Sequence, residues 1–211
     1  MPQNKTLILF YTKFWGSPVD LNSQEFPPGF EISTDRDRLP EASALVFHLP
    51  DTMPSDLPSK PRRQVWVAWY RECEVHYLRM KDPEFMGVFD LTMSYRRDAD
   101  IPVPYYYPEL AETLLTPPKS KSDKKLLAMF ISARLDRSGR RRYLAELMSH
   151  LDVHSYGKLW QNKFTEDDHG IETKLEIISG YKFTIAFENA IARDYVTEKF
   201  FEPLIAGSVP I

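Results

Sequence analysis

The chain has little of what would tie it to a membrane, a disulfide framework or a nucleic acid. Its 211 residues contain one cysteine, Cys73, so no intramolecular disulfide can form. No apolar run approaches the roughly 20 residues of a membrane span, and the first residues lack the apolar segment of a signal peptide. The net charge of −3 provides no general attraction to polyanions. An anionic ligand would therefore need local positive groups.

Short apolar runs rich in strand-forming residues recur in the first half of the chain. They cover residues 7–11, 44–49 and 65–70, and proline-rich segments separate them. Runs of this length and composition are typical of strands that are covered on both faces. Their wide spacing leaves room for crossovers, which favours a parallel α/β sheet over hairpins.

The second half alternates predicted strands and helices. Strands are predicted at residues 126–132, 153–157, 183–187 and 209–211, and helices at residues 173–179 and 196–206. A further amphipathic helix carries one apolar stripe, formed by Tyr143, Leu144, Leu147, Met148 and Leu151. This alternation predicts a doubly wound α/β domain.

Proline and a charged tract mark a break between the halves. Four prolines lie between residues 104 and 118, and a tract of lysine, serine and aspartate occupies residues 119–125. Such composition is typical of a linker. The sequence therefore predicts an N-terminal domain at residues 1–108, a linker at residues 109–125 and a second domain at residues 126–211. Because residues 207–211 resemble a helix cap and the opening of a strand, we expect the second domain to be incomplete and the chain to be a fragment.

One segment near the C-terminus has the form of an anion site. In residues 187–199 a buried strand runs into a polar loop and then into a helix start, where free N–H groups and the helix dipole attract negative charge. Lys199 lies in the first turn, where a cation opposes the dipole, and a bound anion would offset that placement. Lys199 as a solvated lysine, and Asp194 and Thr197 as helix caps, are the structural alternatives.

The same segment is similar to the signature of the α1,3/4-fucosyltransferases of glycosyltransferase family 10. The matching residues are Phe187-Glu188-Asn189, Asp194-Tyr195-Val196-Thr197-Glu198-Lys199 and Gly207-Ser208-Val209-Pro210. Two upstream blocks also resemble the family, at residues 91–105 and 131–157. The resemblance implies an α/β fold of the GT-B type, with two Rossmann-like domains built on parallel sheets. It also implies inverting transfer of L-fucose from GDP-fucose.

The resemblance also assigns the donor contacts. Arg140 and Lys199 would neutralise the diphosphate, because charge-assisted contacts to phosphate are strong. Asn189, Tyr195 and Glu198 would contact the ribose or the fucose hydroxyls. Without the resemblance, Arg140 is one charge among three consecutive arginines on an exposed helix face.

An inverting transfer needs a general base for the acceptor hydroxyl. The family carries its base at a glutamate after a strand rich in Trp and Val, and this match points to Glu72. Arg71 and Cys73 stand where the family usually has Met and Ser. Glu74 stays an alternative, because it would lie on the same side of an extended chain.

Aromatic residues near this segment are candidates for an acceptor platform, since sugars stack on aromatic faces. We assign acceptor binding to Trp69 and Tyr105, with Trp15, Tyr106 and Tyr107 as further candidates, and we expect Trp66 and His48 to be core residues. The Asp98 and Asp100 pair imitates a metal motif of another glycosyltransferase architecture. No metal site or required cofactor is expected, and a divalent cation would act only as a stimulant.

The resemblance implies GDP-fucose and an N-acetylglucosamine-containing glycan as partners, and no nucleic acid. The block at residues 94–105 resembles animal members, which implies a Golgi membrane protein with a luminal catalytic domain and an anchor outside this chain. A bacterial cytoplasmic enzyme is the alternative. Two other functions stay open: a non-catalytic sugar- or nucleotide-binding remnant, and a GT-B transferase of another nucleotide sugar.

Overall fold

The computed structural model describes residues 5–21, 26–106, 110–122 and 124–211. The described residues form two compact units, Met1–Val103 and Pro104–Ile211. Tyr107 and parts of the predicted linker, residues 109 and 123, lie outside the described residues. A short helix, α2 (Leu110–Leu114), occupies part of that segment. The assignment of residues 109–125 as a linker stays a prediction.

The first unit is built on a six-stranded parallel sheet. Its strands are β1 (Thr6–Phe10), β2 (Phe30–Ser33), β3 (Ala44–His48), β4 (Val65–Tyr70), β5 (Leu91–Ser94) and β6 (Ile101–Pro102). One α-helix, α1 (Pro83–Met86), and four 3-10 helices at Arg36–Glu41, Leu49–Asp51, Pro54–Asp56 and Leu78–Lys81 lie in the crossovers. The spatial order is β2-β1-β3-β4-β5-β6. The chain therefore reverses its direction of winding between β1 and β3.

Buried side chains of the central strands hold this unit together. Leu9, Leu45 and Phe47 are fully buried, and Trp66 packs on Phe47 with ring centroids 4.9 Å apart. The Trp66 indole N–H donates to Gln64 Oε1 at 3.0 Å. Trp66 is therefore a core residue, as predicted. Because both faces of the central strands are covered, these strands show long apolar runs in the sequence.

The second unit contains a four-stranded parallel sheet. Its strands are β7 (Leu127–Met129), β8 (Val153–Ser155), β9 (Phe183–Thr184) and β10 (Val209–Pro210), and its longer helices are α3 (Arg140–His150), α4 (Ile171–Ser179) and α5 (Glu198–Ile205). The order β10-β9-β7-β8 places the reversal of winding between β7 and β9. In open α/β sheets this reversal opens a crevice at the carboxyl ends of the strands.

The core of the second unit corrects one sequence prediction. Leu144 of α3 is fully buried, and Leu147 and Met148 pack against the same cluster. Tyr143 and Leu151, predicted to share the apolar stripe, are 61% and 41% exposed. Tyr143 lies at the rim of the crevice, and Leu151 follows the last helical residue, so neither continues the buried face.

The end of α5 confirms the predicted cap. Gly207 adopts φ 72°, the N–H of Ser208 donates to the carbonyl of Pro203 at 2.8 Å, and the N–H of Gly207 donates to Leu204 at 3.0 Å. These two bonds form a Schellman cap, which needs a left-handed residue and therefore favours glycine. No helix among the described residues combines the length and apolarity needed to cross a bilayer.

The predicted alternation of strands and helices is confirmed, with two kinds of error. β2, β5 and β6 were not predicted, because their sequences are short and mixed in polarity. The strand predicted at residues 183–187 is only two residues long, since the chain leaves the sheet after Thr184 to enter the crevice.

We predict that Gly157→Ala destabilises the second unit. A Cβ on Gly157 would lie 2.3 Å from the carbonyl oxygen of Ile131, because the loops after β7 and β8 touch through their backbones. Backbone cannot yield as a flexible side chain does, so we expect a loss of about 1–3 kcal/mol. The urea midpoint of unfolding measures it.

Gly180→Ala is the matched control, because a Cβ there meets its nearest atoms at 3.4 Å, an ordinary contact. We expect its urea midpoint to stay near that of the wild type. Equal midpoints for the two variants would contradict the close approach of Gly157 to Ile131.

Candidate functional site

Two loops meet at the reversal of winding in the second unit. Three consecutive carbonyls after β9 accept hydrogen bonds from the segment that enters α3. The Phe187 carbonyl accepts from Arg140 Nη1 at 2.9 Å, and the Glu188 carbonyl accepts from Ser138 Oγ at 2.7 Å. The Asn189 carbonyl accepts from the N–H of Arg137 at 2.7 Å. These bonds hold the predicted donor segment against the start of α3.

Arg140 is buried in this contact. Its Nη2 atom also reaches the carbonyls of Ala133 and Leu135, at 3.3 and 3.4 Å. Its Nε atom is buried and has no hydrogen-bond partner among the described residues. Burial lowers the pKa of the guanidinium, whereas nearby acidic groups, Asp136 foremost, raise it. Arg140 thus joins the loops and brings a positive charge to the crevice.

Asp136 occupies the N-terminus of α3. Its Oδ1 atom accepts from the N–H groups of Ser138, Gly139 and Arg140 at 2.9–3.2 Å, and Oδ2 accepts from Arg141 at 3.0 Å. Burial alone would raise the pKa of the Asp136 carboxyl. The N–H groups of Arg141, Gly139 and Ser138 outweigh burial and hold the pKa below its ordinary value. The start of α3 therefore already holds an anion.

Lys199, at the start of α5, lies among acceptors. Its Nζ donates to Glu198 Oε1 at 2.9 Å and to Thr197 Oγ1 at 3.0 Å, and it lies 3.5 Å from Glu188 Oε2. Thr197 is the N-cap of α5, as the capping alternative predicted, and its own N–H donates to Glu188 Oε1 at 2.7 Å. Asp194 does not cap the helix but adopts a left-handed φ of 59° three residues earlier.

Burial and the neighbouring Lys199 act on the pKa of Glu198 in opposite directions. Burial favours its neutral form, but Lys199 outweighs burial, and the pKa of Glu198 stays below its ordinary value. Further along α5, burial raises the pKa of Glu202, although this carboxylate pairs with Lys174 of α4. Glu198, Lys199 and Glu202 thus place two carboxylates and one cation on α5, so both hydroxyl and phosphate groups would find partners there.

A cleft of about 490 Å³ opens beside these groups. Its lining residues come from the start of α3 and from the loop after β9: Ser138, Gly139, Arg140, Tyr143, Phe187, Glu188, Ala190 and Ile191. Asn189 and Tyr195 belong to the same loop region and are buried, but they do not line the cleft. Tyr195 is close enough to Arg140 to influence its pKa electrostatically. Of the predicted donor residues, Arg140 borders the cleft, while Glu198 and Lys199 do not line it.

The two candidate bases of the first unit, Glu72 and Glu74, have different neighbours. After β4 the chain turns, with the N–H of His76 donating to the carbonyl of Cys73 at 3.1 Å, so the extended geometry assumed for Glu72 and Glu74 is wrong. Glu74 lies 3.5 Å from the Tyr95 hydroxyl. Glu72 instead influences the pKa of His48 and of Tyr77. The two carboxylates therefore face different surroundings.

The predicted acceptor residues fall in different units. Trp69 is half-buried in the first unit, and Tyr105 is half-buried in the second. His48 is buried as predicted, and its Nδ1 atom lies 2.6 Å from Asp51 Oδ2. A cavity of about 510 Å³ opens at the carboxyl ends of β1 and β3, and Asp51 is among its lining residues.

Several residues of these sites were not predicted: Asp51, Asp136, Ser138, Lys174 and Glu188. Asp136 could have been found as the acidic side chain of the D-x-S-G run before a helix, which is typical of capping. The contacts of Arg140 with Phe187, of Ser138 with Glu188 and of Lys174 with Glu202 could not have been found, because they join residues 28–50 positions apart. Within the described part of the chain, no group of three or more His, Cys, Asp or Glu residues could hold a metal ion.

Two family models match this chain. The model "Fucosyltransferase, N-terminal" matches residues 3–106, and "Glycosyltransferase family 10 (fucosyltransferase) C-term" matches residues 120–211. Among solved structures, "Crystal Structure of alpha1,3-Fucosyltransferase with GDP-fucose" aligns with 98% of this chain and 68% of its own. Its TM-score is 0.62 at 16% identity, and this likeness confirms the predicted GT-B fold.

Curated relatives are similar over almost the whole chain. The dog (Canis lupus familiaris) 4-galactosyl-N-acetylglucosaminide 3-alpha-L-fucosyltransferase 9 is 32% identical over 218 residues, covering 99% of this chain. The human (Homo sapiens) 4-galactosyl-N-acetylglucosaminide 3-alpha-L-fucosyltransferase FUT6 is 36% identical over 217 residues, covering 97%. The chain spans 58% of the length of each relative.

We predict that Asp136→Asn destabilises the second unit at neutral pH. A neutral amide accepts N–H bonds more weakly and loses the interaction with the helix dipole, so about 1 kcal/mol should be lost. Because the pKa of Asp136 is depressed on folding, its contribution is present above about pH 4 and disappears as pH falls through the folded pKa.

Urea midpoints at pH 7 and pH 3 measure this effect, with Asp167→Asn as a control on an exposed aspartate. The gap between wild type and Asp136→Asn should be large at pH 7 and small at pH 3. A gap that does not narrow in acid would mean that the carboxylate charge is not what caps α3.

Proposed function

The chain belongs to glycosyltransferase family 10, the fucosyltransferases, and from this membership we propose that the protein transfers L-fucose from GDP-fucose to a glycan. The acceptor is a hydroxyl of an N-acetylglucosamine-containing glycan, the class that appears in the enzyme names of the relatives. The observation that carries the proposal is the contact of the loop after β9 with the start of α3, beside Lys199 and a cleft of nucleotide size.

The second unit binds GDP-fucose. Lys199 supplies the charge for the diphosphate, and Arg140 adds positive potential from below the crevice. In the free protein Glu198 holds Lys199 by an ion pair, and its side chain is 39% exposed. Glu198 can therefore exchange the lysine for hydroxyls of the donor, which releases Lys199 for phosphate. Asn189 and Tyr195 support the ribose or the fucose.

The first unit supplies the base. Glu72 removes the proton from the acceptor hydroxyl as the acceptor oxygen attacks the anomeric carbon of fucose. The new carbon–oxygen bond forms while the bond from that carbon to GDP breaks, and the diphosphate leaves with the electron pair of the broken bond. Attack opposite to the leaving group inverts the configuration. Positive charge near the diphosphate stabilises the leaving group.

We also propose a Golgi membrane location with a luminal catalytic part. This rests on the resemblance of residues 94–105 to animal members, and the relatives named above are mammalian. Trp69 and Tyr105 remain proposed acceptor residues on the same basis.

Titration calorimetry tests the donor. The chain should bind GDP-fucose more tightly than GDP-mannose or UDP-galactose. Lys199→Gln should weaken GDP-fucose binding at least about tenfold, because a charged hydrogen bond to phosphate is lost. Lys124→Gln is the control, since this exposed lysine precedes β7 and therefore lies near the amino end of that strand, whereas the crevice lies at the carboxyl ends.

Each result separates one alternative. Equal affinity for all three nucleotides would refute a fucose donor. Tight, selective binding without transfer by the whole protein would favour the non-catalytic remnant. Preference for another nucleotide sugar would indicate a different GT-B transferase.

Glu72→Gln tests the base. Transfer should fall by about a hundredfold or more, because a neutral amide cannot accept the proton, whereas affinity for GDP-fucose should stay unchanged. Initial rates and calorimetry measure the two quantities, and Glu74→Gln is the control. A large loss of donor affinity in Glu72→Gln would place this residue at the donor instead.

A further inference from the structure

The candidate platform residues of the first unit differ in how much ring face they expose. Trp66 is 2% exposed. Trp69 is half-buried, because Phe14 stacks on one face at 4.8 Å with planes 9° apart, and Phe10 meets it edge-on at 5.6 Å. Trp15 is 49% exposed. Of these rings, only Trp15 combines large area with an accessible face.

The backbone at Trp15 is unusual for a bulky residue. Trp15 has φ 51° and Gly16 has φ 78°, within a tight turn closed by a bridge between Phe14 and Ser17. Turns of this kind favour Asn, Asp or Gly at both central positions, and a left-handed tryptophan is strained. The conformational preference of the turn therefore does not explain why a tryptophan occupies position 15. A function of the indole ring would explain it.

Asp51 holds this turn in place. Its Oδ2 atom accepts from the N–H of Trp15 at 2.6 Å, and its Oδ1 atom accepts from the N–H of Gly16 at 3.1 Å. The same Oδ2 atom lies 2.6 Å from His48 Nδ1. One carboxylate thus connects the turn after β1 with the end of β3, across the reversal of winding in the first sheet.

His48 lies beneath the Trp15 ring, with centroids 5.0 Å apart and planes at 75°. Its side chain is fully buried, and its Nε2 atom has no hydrogen-bond partner among the described residues. A buried polar atom without a partner is rare and is often associated with a functional site. The cluster under Trp15 is therefore not an ordinary hydrophobic core.

The proposed base belongs to the same neighbourhood. β3 and β4 are paired with His48 opposite Trp69, so the loops after these strands emerge side by side. The Trp15 ring lies 6.3 Å from the ring of Tyr77. After burial, which is the largest cause, the charge of Glu72 also raises the pKa of Tyr77. Trp15 and Glu72 therefore both lie near Tyr77.

From this arrangement we propose that the Trp15 ring is the stacking platform for a pyranose ring of the acceptor, and that Asp51 is the positioning residue that holds Trp15 over His48. This inference rests on the proposed function, because it takes the ligand to be an acceptor glycan. Trp69 then supports the platform through Phe14, whose ring contacts both indoles, and a saccharide stacked on Trp15 lies near Glu72.

The test uses the whole chain, labelled with ¹⁵N at the tryptophan indoles, and the disaccharide galactosyl-N-acetylglucosamine as the probe. Adding the disaccharide should shift the Trp15 indole signal and leave the buried Trp66 signal in place. Trp15→Ala should lower the affinity for the disaccharide at least about tenfold, and Trp15→Phe should retain most of that affinity. Trp160→Phe is the control, because this 39% exposed tryptophan lies in the second unit, and it should change affinity by less than about threefold.

Asp51→Asn distinguishes positioning from general stability. This substitution should broaden the Trp15 indole signal and lower the affinity for the disaccharide severalfold, while the urea midpoint of unfolding stays close to that of the wild type. Should Trp15→Ala fail to fold, the wild-type indole shift and Trp15→Phe decide the question instead.

An unmoved Trp15 signal, or unchanged affinity in Trp15→Ala, overturns the inference. So does a wild-type chain that does not bind the disaccharide. GDP-fucose titrated into the same samples separates the two proposals. If the disaccharide results are negative but GDP-fucose still binds selectively, only the Trp15 inference fails and the proposed function remains. If GDP-fucose does not bind either, both proposals fail.

Discussion

The second unit depends on one line of hydrogen bonds, in which three successive carbonyls after β9 are held by the residues that enter α3. A loop that leaves a parallel sheet needs partners for its backbone carbonyls, and burial makes unpaired carbonyls costly. Arg140, Ser138 and the N–H of Arg137 supply those partners. The same bonds bring the donor segment to the start of a helix, so the requirement for paired backbone atoms also shapes the crevice.

Charge at this crevice is arranged locally, because the chain as a whole is slightly acidic. Asp136 already accepts hydrogen bonds from the N–H groups that open α3, so the proposed function assigns the donor diphosphate to Lys199 instead. Lys199 is held meanwhile by Glu198 and Thr197. Under the proposed function, Lys199 becomes available to phosphate when Glu198 binds hydroxyl groups of the donor.

Asp51 does in the first unit what Arg140 does in the second. It joins the loops on both sides of the reversal of winding, through two N–H groups of the Trp15 turn and the ring of His48. In both sheets a single charged side chain ties together loops that the strand order brings to the same edge. The proposed reaction needs both edges to be rigid, since misplacement of about 1 Å can cost two orders of magnitude in rate.

The alternating pattern, the central strands and the caps at Thr197 and Gly207 can be predicted from the amino-acid sequence, because hydrophobic runs and cap chemistry are local properties of the chain. The sequence also indicates the family, through motifs such as residues 187–199. Four features became visible only in the folded chain. Arg140 is buried, Tyr143 and Leu151 lie outside the core, Glu72 and Glu74 face different groups, and Phe14 stacks on Trp69 while Trp15 is exposed. These features depend on contacts between segments far apart in sequence, and no local period or spacing encodes which face of a ring another segment will cover.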